Sequence, residues 1–370
     1  VIERGKISAL QMAMILHSTI AATALLAMPS VTMKYAHQDM WLSPIWASLG
    51  GFLIVWITFQ LHKFYPKESF IEYVPRIIGR FLGSIFAFLY LFFYWIILGD
   101  IVREYGEFLI TNFLAHTPYS VISGSMLLVC AYAVRGGVEV IGRSAQFFVP
   151  IVMPLFLIVL LLLIPDLKPQ NMLPMFEHGL KPSLIGAIPP LSAFYGEFFL
   201  ISFLYPYVSD KQNKLRWGIY SVLSVVWTML LVSFSTLLIF GKVGAHLTYP
   251  LIGVARYISL ADFLEHLESI VAAIWVLSMF IKMTMIYYAL SLGTAQWLKL
   301  TDYRPLIFPI GILSLVLSIW TVPNLQVLSQ FINSTGTIYF LLMQYLIPLL
   351  LLIVAYFRRK QNQKKVAEQA

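Results

Sequence analysis

The sequence predicts an all-α membrane protein of about ten transmembrane helices, arranged as a 5+5 inverted repeat. Three observations carry that reading. Apolar residues make up 59% of the chain and Asp, Glu, Lys and Arg only 11%, too few charges to clothe the surface of a soluble domain. Apolar runs of about twenty residues, the length that crosses the hydrocarbon of a bilayer, recur from end to end. Two short segments of similar phrasing, "YPKESFIEYVPRIIG" and "YPLIGVARYISLADF", stand at equivalent places in the two halves.

The predicted spans run over 8–30, 41–62, 81–112, 118–134, 144–165, 184–207, 216–241, 268–298, 304–321 and 334–357. The first exceeds the length of a signal-peptide core and reads as a retained span. Lysine and arginine test the count, because cytoplasmic loops carry the excess. With both termini cytoplasmic, roughly eighteen basic residues fall inside and roughly six outside, leaving Lys282 within a span. Among the inside residues are Lys63, Lys67, Arg76, Lys211 and the tail "FRRKQNQKK". An error of one span would scramble this asymmetry. The formal charge of +8 is therefore orientation charge and lipid-headgroup anchoring, and it implies no nucleic-acid partner.

The chain reads as one integral membrane domain, 1–370, with repeats over 8–165 and 184–357 and a basic cytoplasmic tail over 358–370. Each short segment opens with Tyr-Pro, has a second tyrosine eight residues on (Tyr73, Tyr257) and reads as an amphipathic helix before the longest span of its half. Five spans is an odd number, so the second half enters from the opposite side.

In such a repeat the first and sixth spans are equivalent. Each carries a small or polar stretch half-way along, "STIAATA" over 18–24 and "AFYGE" over 193–197, the latter preceded by Pro189 and Pro190. A helix that only had to span would avoid proline, glycine and a carboxylate there. Inverted-repeat transporters break these two helices and turn the freed backbone groups on a substrate. An amino acid suits such a cavity: its carboxylate would meet freed amides over Ala21–Ala24, and its ammonium the carbonyls of Phe194 and Tyr195 and the side chain of Glu197. Alternatively, Gly196 and the prolines only kink the helix, and Glu197 faces a neighbouring polar group.

Lys282, in "SMFIKMTMIYYAL", is the other charge at depth and has to be paired, neutral or wet. It either supplies a fixed cation where related transporters hold a coupling ion, with Thr284 nearby, or forms a plain ion pair with Glu197 or a helix-end carbonyl. Asp100, Arg103, Glu104 and Glu107 share one helical side of the third span and suit a salt-bridged vestibule wall or a binding site. Tyr90 and Tyr94, one turn apart, line a cavity or pack, and His17 reads as a packing residue. The sole cysteine, Cys130, lies in an apolar run. The sequence has no zinc-protease, nucleophile-elbow or phosphate-loop pattern, so no enzymatic activity, cofactor or metal is expected.

The stretches "ISALQMAMILHSTIAATALLAMP", "YPKESFIEYVPRIIGRFLG", "PDLKPQNMLPMFEHGLKPSLIGAIPPLSAFYGE" and "FRRKQ" together resemble the B subunits of spore germinant receptors, endospore germination proteins of the amino acid–polyamine–organocation permease superfamily. The resemblance covers nearly the whole chain. It implies a ten-helix LeuT-type fold in the inner membrane of a bacterial spore. It also implies sensing of a nutrient, often an amino acid, beside an A subunit and a lipoprotein C subunit. By position, the ligand pocket would be lined by Thr19, Ala21, Ala22 and Thr23 of the first span, Tyr94 of the third, and Phe194, Tyr195, Gly196 and Glu197 of the sixth. The chain departs from the pattern in one respect: relatives often place glycine in the first-span break, whereas "IAAT" offers alanine, which unwinds less readily. The same pocket would serve a proton-coupled amino acid permease acting through Glu197 or Lys282.

Overall fold

A computed structural model describes residues 2–210, 212–257, 267–321, 324–332 and 334–369. Lys211 and the 258–263 part of the second amphipathic segment lie outside the described residues, as does the side chain of Tyr257.

The described residues form helices, and no strand longer than an isolated bridge occurs among them. Helix α1 (Ala9–Ala36) starts at a capping box in which Ser8 and Gln11 satisfy each other's backbone amides. A 3₁₀ turn leads to α2 (Ser43–Phe64). Helix α3 (Phe70–Ile78) is capped in the same way by Ser69 and Glu72 and stops at Gly79, whose φ of 95° suits glycine. Helix α4 (Arg80–Asn112) follows, and Gly83 lets it lie against Pro75 of α3, because a Cβ there would overlap the Pro75 backbone. Next come α5 (Tyr119–Arg135) and α6 (Val138–Leu162).

The sixth apolar run is broken into short pieces: α7 (Lys181–Gly186), α8 (Ile188–Ala193), a 3₁₀ turn over Tyr195–Leu200, α9 (Ile201–Leu204) and a further turn over Tyr205–Tyr207. Then come α10 (Lys214–Phe240), α11 (Pro250–Tyr257), α12 (Leu267–Trp297) and α13 (Arg304–Trp320). Helices α14 (Leu325–Ile332) and α15 (Thr335–Leu341), a π-turn over Leu342–Leu346 and α16 (Ile347–Gln369) complete the order. Among the described residues seven helical segments are long and apolar enough to cross a membrane; one of them, 9–64, holds both the first and second predicted spans. Two shorter apolar helices, Tyr119–Arg135 and Arg304–Trp320, fall at the fourth and ninth.

Helices α1 and α12 sit at the centre. Every residue from Ile15 to Leu26 and from Ile281 to Gly293 is buried, and a helix apolar on all sides is one packed on all sides. At the periphery α6 and α13 expose Ile151, Leu161, Ile312 and Trp320, as lipid-facing helices do. The segment before α1 ties elements together. Ile7 bridges to Val208, and the buried Glu3 carboxylate accepts hydrogen bonds from Val138 N (3.2 Å) and the hydroxyls of Tyr303 (3.1 Å) and Tyr288 (3.4 Å).

The structure corrects one expectation. The first span is not broken over 18–24; α1 runs through it as continuous helix. Three of the seven residues there are alanine, the best helix former, and none is glycine. The amides of Ala21, Ala22, Thr23 and Ala24 are spent within the helix and cannot receive a carboxylate.

Candidate functional site

The break in the sixth run has a local cause. Pro189 and Pro190 open α8, where their missing donors cost nothing. The hydrogen bonds that follow shorten: Phe194 N still reaches Pro190 O, but Glu197 N turns to Phe194 O at 3.1 Å. The chain thereby tightens into the 3₁₀ turn over Tyr195–Leu200. Gly196 is needed because a Cβ there would collide with the amide of Gln344.

Glu197, on that turn, meets Lys282 of α12. The ammonium donates to both carboxylate oxygens, at 2.7 and 2.6 Å, and to the Thr23 hydroxyl of α1 at 2.8 Å. All three of its donors are thus used. Lys282 is 1% exposed and Glu197 6%, so removing either strands a buried charge at a cost of about 3–5 kcal/mol. The continuous α1, the broken run and α12 are pinned together at this point.

Beside the pair opens a narrow cleft, with about 50 Å³ of room for the centres of water-sized molecules. Of the predicted residues, Thr23, Phe194, Glu197 and Lys282 line it. The others are placed elsewhere. Thr19 is buried with its hydroxyl unpartnered and does not reach the cleft wall. Ala21 and Ala22 are buried in packing. Thr284 is two residues from Lys282, hence on the opposite side of α12, fully buried and away from the cleft. Tyr94 packs edge-on against Phe203, with ring centroids 5.6 Å apart. Tyr195 packs against Gly51 of α2, and Gly196 faces Gln344 behind the lining.

The vestibule quartet divides. Asp100 and Glu104 line the cleft, whereas Arg103 and Glu107 form an ion pair of 2.5 Å, with the guanidinium over the Tyr119 ring. Tyr90 donates to the Met343 carbonyl, and His17 shares a 2.9 Å hydrogen bond with Ser224, both packing roles. Sequence reasoning missed Gln344, which lines the cleft from the π-turn. Its signal was available: an amide amid "YFLLMQYLIPL" is as unusual at depth as a charge.

Comparison with known proteins adds a context to this geometry. The family described as "Spore germination protein" matches residues 6–326. The chain is similar to Spore germination protein KB of Bacillus subtilis (strain 168), at 26% identity over 376 residues, covering 100% of this chain and 99% of that protein. It is likewise 26% identical to Spore germination protein YndE of the same organism, over 96% of this chain and 98% of that one. Spore germination protein XB of Bacillus anthracis is 25% identical, over 69% of this chain and 72% of that one.

Proposed function

This chain belongs to the spore germination protein family, and on that premise we propose that it is the nutrient-sensing membrane subunit of a germinant receptor, with the nutrient bound in the cleft beside the Lys282–Glu197 pair. The observation that carries the reading is that pair: a buried ion pair holding the broken sixth run against two packed helices, next to open space. A ligand that alters it changes how the broken run sits between α1 and α12, and a difference in affinity between the two arrangements is what a sensor needs. The readers of that change are an A subunit and a lipoprotein C subunit in the inner membrane of the spore, with both termini of this chain cytoplasmic. An amino acid is the favoured nutrient, recognised by side chains of the cleft and not by amides of α1.

The 5+5 repeat of LeuT type belongs to the same reading. It is supported by a short helix before each of the two longest: α3 before α4, of 33 residues, and α11 before α12, of 31. The broken sixth run also supports it, while the unbroken α1 makes the two halves unequal.

The rival reading, a proton-coupled permease, draws on Lys282, Glu197 and Glu104 meeting in one cleft. Reconstituted vesicles decide between them. Binding of an amino acid without concentrative uptake sustains the sensor, and robust uptake by the isolated chain sinks it. Lys282→Met and Lys282→Arg then test the pair: a nutrient response unchanged in both would remove Lys282 from the mechanism.

A further inference from the structure

A second space opens where α4, α5, α6 and α12 meet, with about 330 Å³ of room for the centres of water-sized molecules. Tyr105 of α4, Met126 and Val129 of α5, Phe148 of α6 and Leu277 and Phe280 of α12 line it, and none of these lines the cleft. Its aromatic walls are braced. The Phe148 and Phe280 rings meet edge-on with centroids 5.9 Å apart, and Tyr105 stacks on Trp275 at 5.9 Å. Its mouth faces the lipid side: Val129 is 53% exposed, and the neighbouring Leu128 of α5 and Phe147 of α6 are exposed as well.

One polar group of this lining lacks a partner. Tyr105 is 7% exposed, and its hydroxyl has no hydrogen-bond partner among the described residues. A hydroxyl left unpaired in an apolar setting is costly. Ser125, the other hydroxyl of the lining, already donates to the Ile122 carbonyl at 2.9 Å. The chemistry of the wall sorts the occupants. A buried water makes about three hydrogen bonds, and two hydroxyls, one of them already donating, do not supply them. A lipid acyl chain fills the space but leaves the Tyr105 hydroxyl orphaned. A helix of a neighbouring protein is about 10–12 Å across with its side chains, so it covers the mouth without filling the crevice. A small molecule with an apolar body and one hydroxyl meets both demands. The room is about twice that of an engineered apolar cavity of about 150 Å³ that takes up benzene.

We propose that this crevice is a binding site for a small neutral alcohol with an apolar body, entered from the bilayer, with the Tyr105 hydroxyl as its hydrogen-bond partner. The site stands whether or not the cleft is the nutrient site. It is nonetheless placed to act on the cleft, because Leu277 and Phe280 share α12 with Lys282, and Tyr105 follows Glu104 on α4.

The test uses the full chain in lipid nanodiscs and an octanol analogue carrying a photoreactive diazirine, with labelled residues mapped by mass spectrometry. Labelling should concentrate on the crevice residues. Octanol should compete for it, and octane at equal concentration in the bilayer should compete about tenfold less well. Tyr105→Phe removes only the hydroxyl and should abolish that difference. Val129→Trp adds bulk at an exposed position at the mouth and should abolish the labelling itself, and each variant's unfolding temperature reports whether it folds. Labelling spread evenly over lipid-facing residues such as Ile151 and Ile312 overturns the proposal, as does crevice labelling that Val129→Trp leaves unchanged. Equal competition by octanol and octane in the parent chain, or an octanol preference that survives Tyr105→Phe, overturns it too. The crevice would then be filled by acyl chains, and Tyr105 would only pack.

Discussion

At the scale of single residues the site is governed by the cost of burying charge. Lys282 and Glu197 are tolerable because they satisfy each other, and Thr23 takes the remaining donor. Lys282→Met alone should therefore leave the Glu197 carboxylate buried without its cation, and Glu197→Gln alone the reverse. Each should destabilise the chain by about 3–5 kcal/mol, while the double variant should be less damaged than the sum of the two. Thermal unfolding of the four proteins in one detergent measures this cycle, and additive losses would show that the pair is not coupled. Gly196 offers a second residue-scale outcome. A Cβ there meets Gln344 and no other residue within the three nearest atoms, so Gly196→Ala should cost about 1–3 kcal/mol. Gln344→Ala in the same chain should recover most of it, since the amide that obstructs the methyl is gone.

Elements behave according to what their residues can give up. The sixth run was legible as broken because Pro189, Pro190 and Gly196 each disfavour continuous helix, and the structure divides it there. Analogy with its partner predicts a break in the first run, but the composition argues otherwise: "STIAATA" contains no residue that resists helix strongly. Prediction at this scale follows from the difference. If α1 is continuous helix, Ala22→Gly should cost about 1 kcal/mol, the ordinary penalty for glycine inside a helix. Were 18–24 an unwound segment, the same change would be neutral or stabilising. Denaturant unfolding in mixed micelles separates the two. Spans and loops were legible because length, apolarity and basic residues act locally. Which side chains share the cleft was less so, because that depends on how helices rotate against each other. Asp100 and Glu104 were visible as a polar side of a helix, but nothing in the sequence says that Arg103 turns to Glu107 and leaves them facing open space.

For the molecule as a whole, the broken run is held at both ends of its second part. Glu197 anchors it to α12 in the cleft, and Tyr207 and Val208, at its exit, are anchored by the segment that precedes α1. Ile7 N donates to Tyr207 O at 3.0 Å and Ser209 N to Ile7 O at 2.9 Å. Glu3, 7% exposed, carries this strap across to α6, α12 and α13 through Val138, Tyr288 and Tyr303. Tyr288 lies on the same helix as Lys282, so a rearrangement at the cleft and the seating of the strap share one rigid element. Glu3→Gln keeps the size but replaces one acceptor oxygen by a donor that faces N–H and O–H groups, and each mispaired contact costs about 1–3 kcal/mol. The strap should then open more often than the rest of the molecule. Trypsin reads this directly, because Arg4 and Lys6 lie within the strap and Lys6 is now held by Glu139 through its backbone and by Pro206 through its ammonium. Limited digestion of the variant should cleave after Arg4 or Lys6 at least tenfold faster than in the parent chain, with other sites unchanged. Equal rates at those two bonds would mean that Glu3 does not hold the strap, and that the cleft and this face of the molecule are joined by packing alone.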